Sequence, residues 1–264
     1  MKSAVKGVIV FLHGGGVSGS WSWSLQTAAF SDYTCLTPDL PGHGQRQDTF
    51  EFARAVAEVT ALLEAQPTDA LVHLVGVSLG AQVGLQVLAN HPKLVARALL
   101  TGCLCVPYPG SGLLTREPGL TLSAGLLSLY MPLRNAAWLV RANMNALGIP
   151  MRFLSDFSLD TARLTTARLM SVLRANSAFR VPDNLAMLET PVLALAGTHE
   201  VAQIQRSLEM LESSSTRIHA YRVRGANHNW NLERPDEFNH TLRAWLRDEA
   251  LPSFLEPMRS VTHE

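Results

Sequence analysis

A serine flanked by two glycines is the strongest chemical signal in this sequence. Ser78 stands at the centre of Gly76–Gly80, directly after the apolar run Leu71–Val75 and before the small-residue stretch Ala81–Gly84. A serine on a tight turn between a strand and a helix is held in a strained backbone conformation, so its hydroxyl projects from the end of a sheet. The flanking glycines are needed because a Cβ atom there would collide with the neighbouring strand or helix. The pattern therefore predicts an exposed nucleophile at Ser78.

A serine nucleophile needs a proton acceptor and a group that orients the acceptor, and both follow later in the chain. The apolar run Pro191–Ala196 is followed by Glu200, and the strand-like run Ile218–Val223 is followed by His228. In such an arrangement the histidine takes the serine proton while the carboxylate orients the imidazole. The three candidate groups thus lie on loops that follow three separate predicted strands.

A glycine-rich loop near the N-terminus has the composition of an oxyanion-binding site. The buried-strand run Gly7–Leu12 leads directly into His13–Gly16. A backbone without side chains can approach a substrate closely and direct an N–H group at a developing oxyanion. The N–H of Leu79, at the start of the helix after Ser78, would supply a second donor.

The elements that position these loops alternate between strands and helices, which predicts an α/β fold with a doubly wound, mostly parallel sheet. Strands are predicted over Gly7–Leu12, Tyr33–Thr37, Leu71–Val75, Leu94–Thr101, Pro191–Ala196 and Ile218–Val223. Helices are predicted over Ser20–Phe30 and Phe50–Ala65, from Ser78 to about Asn90, and over Leu232–Ala250.

The sequence resembles α/β-hydrolase-fold serine hydrolases over almost its whole length. The resemblance rests on the two glycine motifs described above, on the two downstream loops, and on Asp39–Gly44. It implies the following roles: Ser78 as nucleophile, His228 as general base, Glu200 as orienting acid, and the N–H groups of Gly15 and Leu79 as oxyanion-hole donors.

Two features depart from the usual pattern of this fold. Only six residues precede the first predicted strand, so we expect no N-terminal hairpin, as in the compact plant methylesterase and hydroxynitrile lyase branch and in bacterial capped esterases. Glu200 occupies the position where most relatives carry aspartate, and its extra methylene changes the reach but not the charge. The loop Thr101–Cys105 has no carboxylate that could replace it.

Several polar residues near the motifs are expected to be structural. His13 is expected to hold the glycine loop by hydrogen bonds, and His43 and Asp39 are expected to have structural roles. His199 adjoins Glu200 on the same loop and is expected to face solvent.

The segment between Val106 and Pro182 interrupts the alternation of strands and helices. Its helices are predicted over Leu120–Tyr130, Asn135–Leu147, Met151–Phe157 and Asp160–Ala175, with prolines between them. In this fold such an insertion forms an all-helical cap over the carboxyl ends of the strands, where pockets occur. We therefore predict a cap of residues 106–185, inserted between the strand ending near Thr101 and the strand starting near Pro191. Residues 1–105 and 186–264 are predicted to form the core.

Large apolar side chains in the cap and near the motifs are candidates for a substrate pocket. The candidates are Gly16 and six large side chains: Trp21, Trp23, Met131, Trp138, Met144 and Trp230. Methionine adapts to irregular apolar surfaces, which suits a pocket wall. Packing of the cap onto the core explains each of them equally well.

The predicted cap is also rich in arginine. Between Val106 and Pro182, eight arginines stand against three carboxylates, Glu117, Asp156 and Asp160. This surface could attract an anionic substrate, such as one with a carboxylate or phosphate. A solvated helix face explains the same charges.

Composition narrows the choice of partners and compartment. The 264 residues contain 22 basic and 22 acidic side chains, so zero net charge gives no reason to expect nucleic acid or an anionic membrane as a partner. The apolar run at the N-terminus is too short to span a membrane. Three cysteines without metal-ligand spacing are expected to be free thiols in a cytoplasmic protein. The expected partner is a small-molecule substrate, and the expected state is a monomer or homodimer.

Together these features predict a serine hydrolase that cleaves a small carboxylic ester without a metal or organic cofactor. Two alternatives remain open. One is carbon–carbon bond hydrolysis or lyase chemistry on the same three groups. The other is a ligand receptor of the same fold with slow turnover. The natural substrate does not follow from the fold.

Overall fold

The computed structural model describes residues 7–111 and 119–258, and within them the chain forms one twisted sheet. In chain order the strands are β1 Val8–Leu12, β2 Thr34–Leu36, β3 Val72–Val77, β4 Arg97–Thr101, β5 Val192–Gly197, β6 Ile218–Val223 and β7 Leu255–Pro257. Their order across the sheet is β2-β1-β3-β4-β5-β6-β7. The pairs from β2 to β6 are parallel, which confirms the prediction of a mostly parallel α/β fold. The expectation about an N-terminal hairpin concerns residues 1–6, which lie outside the described residues.

Helices connect the strands and cover both faces of the sheet. The α-helices among the described residues are α1 Gly19–Ser22, α2 Ser24–Ala29, α3 Phe52–Glu64, α4 Leu79–Asn90, α5 Gly119–Tyr130, α6 Ala137–Leu147, α7 Leu154–Arg163, α8 Thr166–Ala178, α9 Ala202–Ser214, α10 Trp230–Glu233 and α11 Pro235–Leu246. Short 3₁₀ helices occupy Met131–Leu133, Met151–Phe153 and Asp183–Met187.

Two predicted helices are divided in the structure, and one strand was not predicted. The helix predicted over Ser20–Phe30 is two helices that meet at Trp23. The predicted closing helix Leu232–Ala250 is also divided, because Pro235 starts a new helix and lacks the N–H that would continue the preceding one. After it, the chain adds β7 antiparallel to β6, a three-residue strand that the sequence analysis missed.

The central strands β1, β3 and β5 consist almost entirely of apolar residues because both of their faces are buried, and His73 of β3 is the polar exception. All residues of β1, β3 and β5 are buried. Alternate residues of β1 enter different cores: Val8, Val10 and Leu12 pack with α3, α4 and α9, whereas Ile9 and Phe11 pack with the aromatic side chains of the opposite face. The sheet is therefore rigid where the loops that follow β3, β5 and β6 begin.

The chain between β4 and β5 forms the inserted helices α5 to α8, called here the inserted segment. For the described residues of this segment the prediction of helices is confirmed, although the last two helices divide differently. Helix α7 ends at Arg163. The Thr165 side chain then accepts a hydrogen bond from the Arg168 N–H at the start of α8. Apolar residues of this segment pack against Trp21 and Leu232 of the remaining chain. The residue ranges given above for core and cap remain predictions.

Two further features of the described chain are the character of its helices and the state of its cysteines. Within the described ranges, no helix combines the length and the apolar character that crossing a membrane requires. The three cysteines are free, as expected, and Cys103 and Cys105 are buried after β4.

The packing of α4 against β1 allows a test of the fold. A Cβ atom at Gly80 would meet the backbone carbonyl oxygens of Leu12 and His13, whereas one at Gly84 would meet only the ends of the Leu100 and Leu74 side chains, at 3.1 and 3.2 Å. Backbone cannot move aside as a side chain can. We expect Gly80→Ala to lower the free energy of unfolding by about 3 kcal/mol or more.

Gly84→Ala is the matched control, because alanine gains up to about 1 kcal/mol of helix propensity at either position. We expect its free energy of unfolding to stay within about 1 kcal/mol of that of the unmodified protein. Chemical denaturation measures both values. Equal stability of the two variants would contradict the close approach of α4 and β1.

Candidate active site

Ser78 occupies the turn between β3 and α4 in a conformation that L-residues rarely adopt. Its φ is 56° and its ψ is −117°. Asp248 is the other non-glycine residue with positive φ in the described part of the chain. The Ser78 N–H donates to the Thr101 carbonyl at 2.9 Å, and the Ser78 carbonyl accepts from the Gln82 N–H at 3.1 Å. These bonds hold the strained turn, which confirms the strand–turn–helix prediction.

The Gly76–Gly80 spacing has the steric origin expected from the sequence. A Cβ atom at Gly76 would lie 2.7 Å from the Gly80 carbonyl oxygen and 2.8 Å from the Ala81 nitrogen. The helix can therefore start directly beside the strand only because both positions lack side chains. This close approach directs the Ser78 side chain away from the sheet.

Glu200 and His228 form a hydrogen bond across the loops that follow β5 and β6. The His228 Nδ1 lies 2.5 Å from Glu200 Oε2. Only 2% of the Glu200 side chain is exposed, against 23% of the His228 side chain. The second carboxylate oxygen, Oε1, accepts from the Gly197 N–H at 3.1 Å. An ionised carboxylate only accepts, so it holds the proton on Nδ1 and leaves the Nε2 lone pair available as a base.

One cavity of about 310 Å³ brings Ser78, Glu200 and His228 together. Its remaining described lining consists of Leu104, Tyr108, Ala146, Leu147, Asn176, His199, Val201, Ile204 and Asn227. No hydrogen bond joins Ser78 Oγ to His228 Nε2 among the described residues. Such bonds often tighten only when a substrate is bound, so their absence in the free protein is compatible with catalysis. The arrangement can support nucleophilic attack by serine.

Gly102 is a site residue that the sequence analysis missed. It follows β4 with a φ of +62°, and a Cβ atom there would lie 2.7 Å from His228 Cε1 and 2.9 Å from His228 Nδ1. The glycine therefore leaves the space in which the imidazole reaches Glu200. The signal in the sequence that marks this position is a glycine directly after a predicted strand.

His13 positions the glycine loop, as expected. Its Nε2 accepts from the Leu40 N–H at 2.9 Å, so its Nδ1 carries the proton and donates to the Gly14 carbonyl at 2.7 Å. Burial lowers the pKa of His13 to about 4, which keeps the ring neutral near pH 7. A Cβ atom at Gly14 would lie 3.4 Å from the Ser78 Cβ atom. The loop thus lies against the candidate nucleophile.

The two expected oxyanion donors flank this contact. Gly15 is exposed, and its N–H donates to no acceptor among the described residues. Leu79 is the first residue of α4, where an N–H has no acceptor within the helix. A Cβ atom at Gly15 would lie 4.0 Å from Leu79 Cδ2, so the two residues are neighbours. Their role as donors to an oxyanion remains a prediction.

The structure does not bring the predicted pocket residues to the described cavity lining. Trp23 and Trp230 are fully buried against Phe238 on the other face of the sheet, so their placement in the pocket was wrong. Met144 is also fully buried, and Trp21 packs beside it. Trp138 is 65% exposed, and Gly16 and Met131 are half-buried at positions outside the described cavity lining. The four buried side chains, Trp21, Trp23, Met144 and Trp230, therefore agree with the alternative interpretation that these residues pack the protein interior.

The other polar residues lie largely where they were expected. His43 is buried with its Nδ1 2.9 Å from the Pro41 carbonyl, and Asp39 accepts from the Gly19 N–H at 2.8 Å, so both are structural. His199 is exposed, as expected, yet it also lines the cavity. None of the nine residues that line the cavity besides Ser78, Glu200 and His228 is among the pocket residues predicted from the sequence, because they come from separate loops and helices that only the folded chain brings together.

The arginines of the inserted segment lie outside the described cavity lining. Arg134 and Arg180 donate to backbone carbonyls, and Arg152 donates to the Leu232 carbonyl. Arg163 pairs with Asp160 at 3.3 Å. Arg116 and Glu117 lie outside the described residues. The described lining therefore has no arginine or lysine, and its only ionisable groups besides the Glu200–His228 pair are Tyr108 and His199.

Known proteins share this sequence pattern and this fold. A sequence model of the alpha/beta hydrolase family matches residues 9–241. An AB hydrolase superfamily protein of Gibberella zeae is 25% identical over 256 residues, which cover 94% of this chain and 83% of that protein. A putative carbamate hydrolase, RutD, of Rhizobium rhizogenes is 27% identical over 257 residues, which cover 90% of this chain and 92% of that protein. A solved structure, that of MenH from S. aureus, is similar with a TM-score of 0.73 at 18% identity. The match covers 94% of this chain and 96% of that chain, and at this identity it shows the fold alone.

The buried histidines predict how stability depends on pH. Burial lowers the pKa of His13, His43 and His73 from 6.5 to about 4. Below pH 6.5 the unfolded chain therefore binds protons that the folded protein does not bind, so stability is lost as the pH falls from 6.5 towards 4. At pH 5 each histidine should lower the free energy of unfolding by roughly 1–2 kcal/mol, as measured by chemical denaturation between pH 7.5 and 4.5.

His73→Gln should make this pH dependence shallower, whereas His240→Gln, a change at an exposed position of α11, should leave it unchanged. The comparison uses the slope of the free energy of unfolding against pH, and a loss of stability that is the same at every pH does not change this slope. An identical slope in both variants would show that His73 is not buried as a neutral group.

The contact between Gly102 and His228 predicts a loss of activity without loss of fold. Gly102→Ala would push the imidazole away from Glu200, and a displacement of about 1 Å in a catalytic group typically lowers the rate about 100-fold. We expect kcat for a substrate that the protein hydrolyses to fall by that order.

Gly110→Ala is the matched control. Gly110 also has a positive φ, +78°, but no atom lies within 4 Å of a Cβ built there. Both variants carry the backbone strain of alanine in this region, which is about 1–2 kcal/mol. Similar kcat values in the two variants would rule out Gly102 as a positioning residue for His228.

Proposed function

The chain belongs to the alpha/beta hydrolase family, and on that premise we propose that it is a serine hydrolase of small carboxylic esters. The observation that carries the proposal is the Glu200–His228 hydrogen bond, at 2.5 Å, on the wall of the cavity that Ser78 also lines. Nucleophile, base and orienting acid are the parts that acyl transfer needs, and this cavity is where the chain brings such groups together.

The proposed reaction proceeds through an acyl-enzyme. His228 Nε2 takes the Ser78 proton while Oγ attacks the ester carbonyl, and the same proton then passes to the departing alcohol. Water, deprotonated by His228, attacks the acyl-enzyme and releases the carboxylic acid, which restores the Ser78 hydroxyl. Glu200 keeps the proton on Nδ1 and stabilises the imidazolium that forms in each step.

The Gly15 and Leu79 N–H groups are the proposed donors to the tetrahedral oxyanion. Two observations support this role: the glycine loop lies against Ser78, and the Leu79 N–H belongs to the first residue of the helix that Ser78 precedes. One such donor lowers the barrier by about 3–4 kcal/mol. His13, held neutral by burial, keeps the loop in place without competing as a base.

The cavity favours a small and uncharged substrate. About 310 Å³ is at the lower end of ligand pockets, which range from about 300 to 1,000 Å³. The described lining offers no arginine or lysine to a carboxylate or phosphate. The arginines that had suggested an anionic substrate mostly bind the chain itself.

The first test compares single substitutions in the proposed machinery. We expect Ser78→Ala and His228→Ala to lower kcat for a short-chain nitrophenyl ester by about 10⁴-fold or more, and Glu200→Gln to lower it by roughly 10²- to 10⁴-fold. Ser213→Ala is the control, because this exposed hydroxyl bonds only within α9. Full activity in Ser78→Ala would overturn the proposal.

A substrate panel then identifies the bond that is cleaved. Nitrophenyl esters, lactones, carbamates and diketones should be compared at equal concentration, with products identified by mass. The proposal expects the esters to have the highest kcat/KM. Preferential cleavage of a diketone would instead indicate carbon–carbon bond hydrolysis, and the absence of turnover with every member would contradict the enzymatic assignment.

A further inference from the structure

A chain of two hydrogen bonds fixes the orientation of Asn176 at the cavity wall. Gln82 is fully buried, and its Nε2 donates to the Leu104 carbonyl at 2.6 Å and to Asn176 Oδ1 at 2.7 Å. A backbone carbonyl can only accept, so the Gln82 atom facing it must be the amide nitrogen. That nitrogen can only donate, so Asn176 must turn its oxygen towards Gln82.

The consequence is that the Asn176 amide nitrogen points away from Gln82. Asn176 lines the cavity, and its Nδ2 donates to no acceptor within the described ranges. Asn227, the other amide of the lining, differs because its Nδ2 donates to Glu233 at 2.7 Å. Asn176 is therefore the amide in the described lining for which both N–H groups lack an acceptor among the described residues.

Asn176 is also close to the candidate nucleophile along the chain of contacts. Ser78 immediately precedes α4, and its carbonyl accepts a hydrogen bond from the Gln82 N–H at 3.1 Å. Gln82 thus contacts both the backbone of the candidate nucleophile and the side chain of Asn176. Both residues line one cavity, so a small molecule at Ser78 comes within reach of Asn176.

We propose that Asn176 Nδ2 binds a second, uncharged acceptor oxygen of the substrate, on a group separate from the carbonyl that Ser78 attacks. This inference rests on the proposed hydrolase function and narrows its substrate class to small esters with an ether, ketone or hydroxyl oxygen. A neutral amide donor in a lining without arginine or lysine suits a neutral acceptor better than an anion.

A structural role for Asn176 makes a different prediction. As an anchor, the side chain would serve only to join α8 to α4 through Gln82. Asn176→Asp keeps that anchor, since a carboxylate oxygen accepts from Gln82 Nε2, but it removes the donor from the cavity. The substitution therefore separates ligand binding from anchoring, and Asn176→Ala, which removes both, completes the series.

The experiment measures kcat and KM for nitrophenyl pentanoate and for esters with one added oxygen: methoxyacetate, 3-methoxypropanoate and 4-oxopentanoate. We expect Asn176→Asp and Asn176→Ala to lower kcat/KM for at least one oxygen-bearing ester by about 10-fold, mainly through KM, which is the effect of losing one hydrogen bond. The pentanoate should change by less than about 3-fold in Asn176→Ala. Asn143→Asp on α6 is the control, because Asn143 bonds to Tyr130 and lies outside the described lining.

The outcomes separate this proposal from the proposed function. Equal losses for all four esters, or no loss for any, would overturn the role of Asn176 while leaving the hydrolase intact. If the unmodified protein hydrolyses none of the four and a serine-reactive phosphonate leaves Ser78 unlabelled, the hydrolase function itself fails, and the proposal for Asn176 fails with it.

Discussion

The site depends on the direct contact of α4 with the strands that precede it. Gly76 and Gly80 remove the side chains that would separate helix from strand, so the turn between β3 and α4 tightens until Ser78 must adopt a positive φ. The strained conformation is stabilised by the surrounding sheet, since the Ser78 N–H bonds to the neighbouring strand at Thr101. In the proposed reaction, a hydroxyl held in this way needs little reorganisation before it attacks the substrate.

The parallel sheet then collects the other groups at the same edge. Because neighbouring parallel strands end together, the loops after β4, β5 and β6 bring Gly102, Glu200 and His228 to one place. Each has a separate function in the arrangement: a missing side chain makes room, a buried carboxylate orients, and a partly exposed imidazole faces the cavity. The inserted segment adds side chains to the wall, including Asn176, whose orientation is fixed from the core by Gln82.

The sequence was informative where function depends on local backbone geometry. The six parallel strands, the serine turn and the loops that contain Glu200 and His228 all follow from apolar runs that end in glycine or polar residues, and those are short-range features. The cavity wall was predicted poorly because it depends on the direction of side chains in the folded chain. Trp23 and Trp230 lie close to the motifs in sequence but face the opposite side of the sheet. Asn176 contacts a residue 94 positions away, and no local pattern marks such a pair.

The central claim is that Ser78 is a nucleophile activated by His228. The most direct measurement is the reaction of the intact protein with a serine-reactive phosphonate, followed by peptide mass analysis to locate the adduct. The account predicts a single adduct on Ser78 that forms about 100-fold or more slowly in His228→Ala, because the base that activates the hydroxyl is then missing. Labelling of another residue, or labelling of Ser78 at an unchanged rate in His228→Ala, would contradict it.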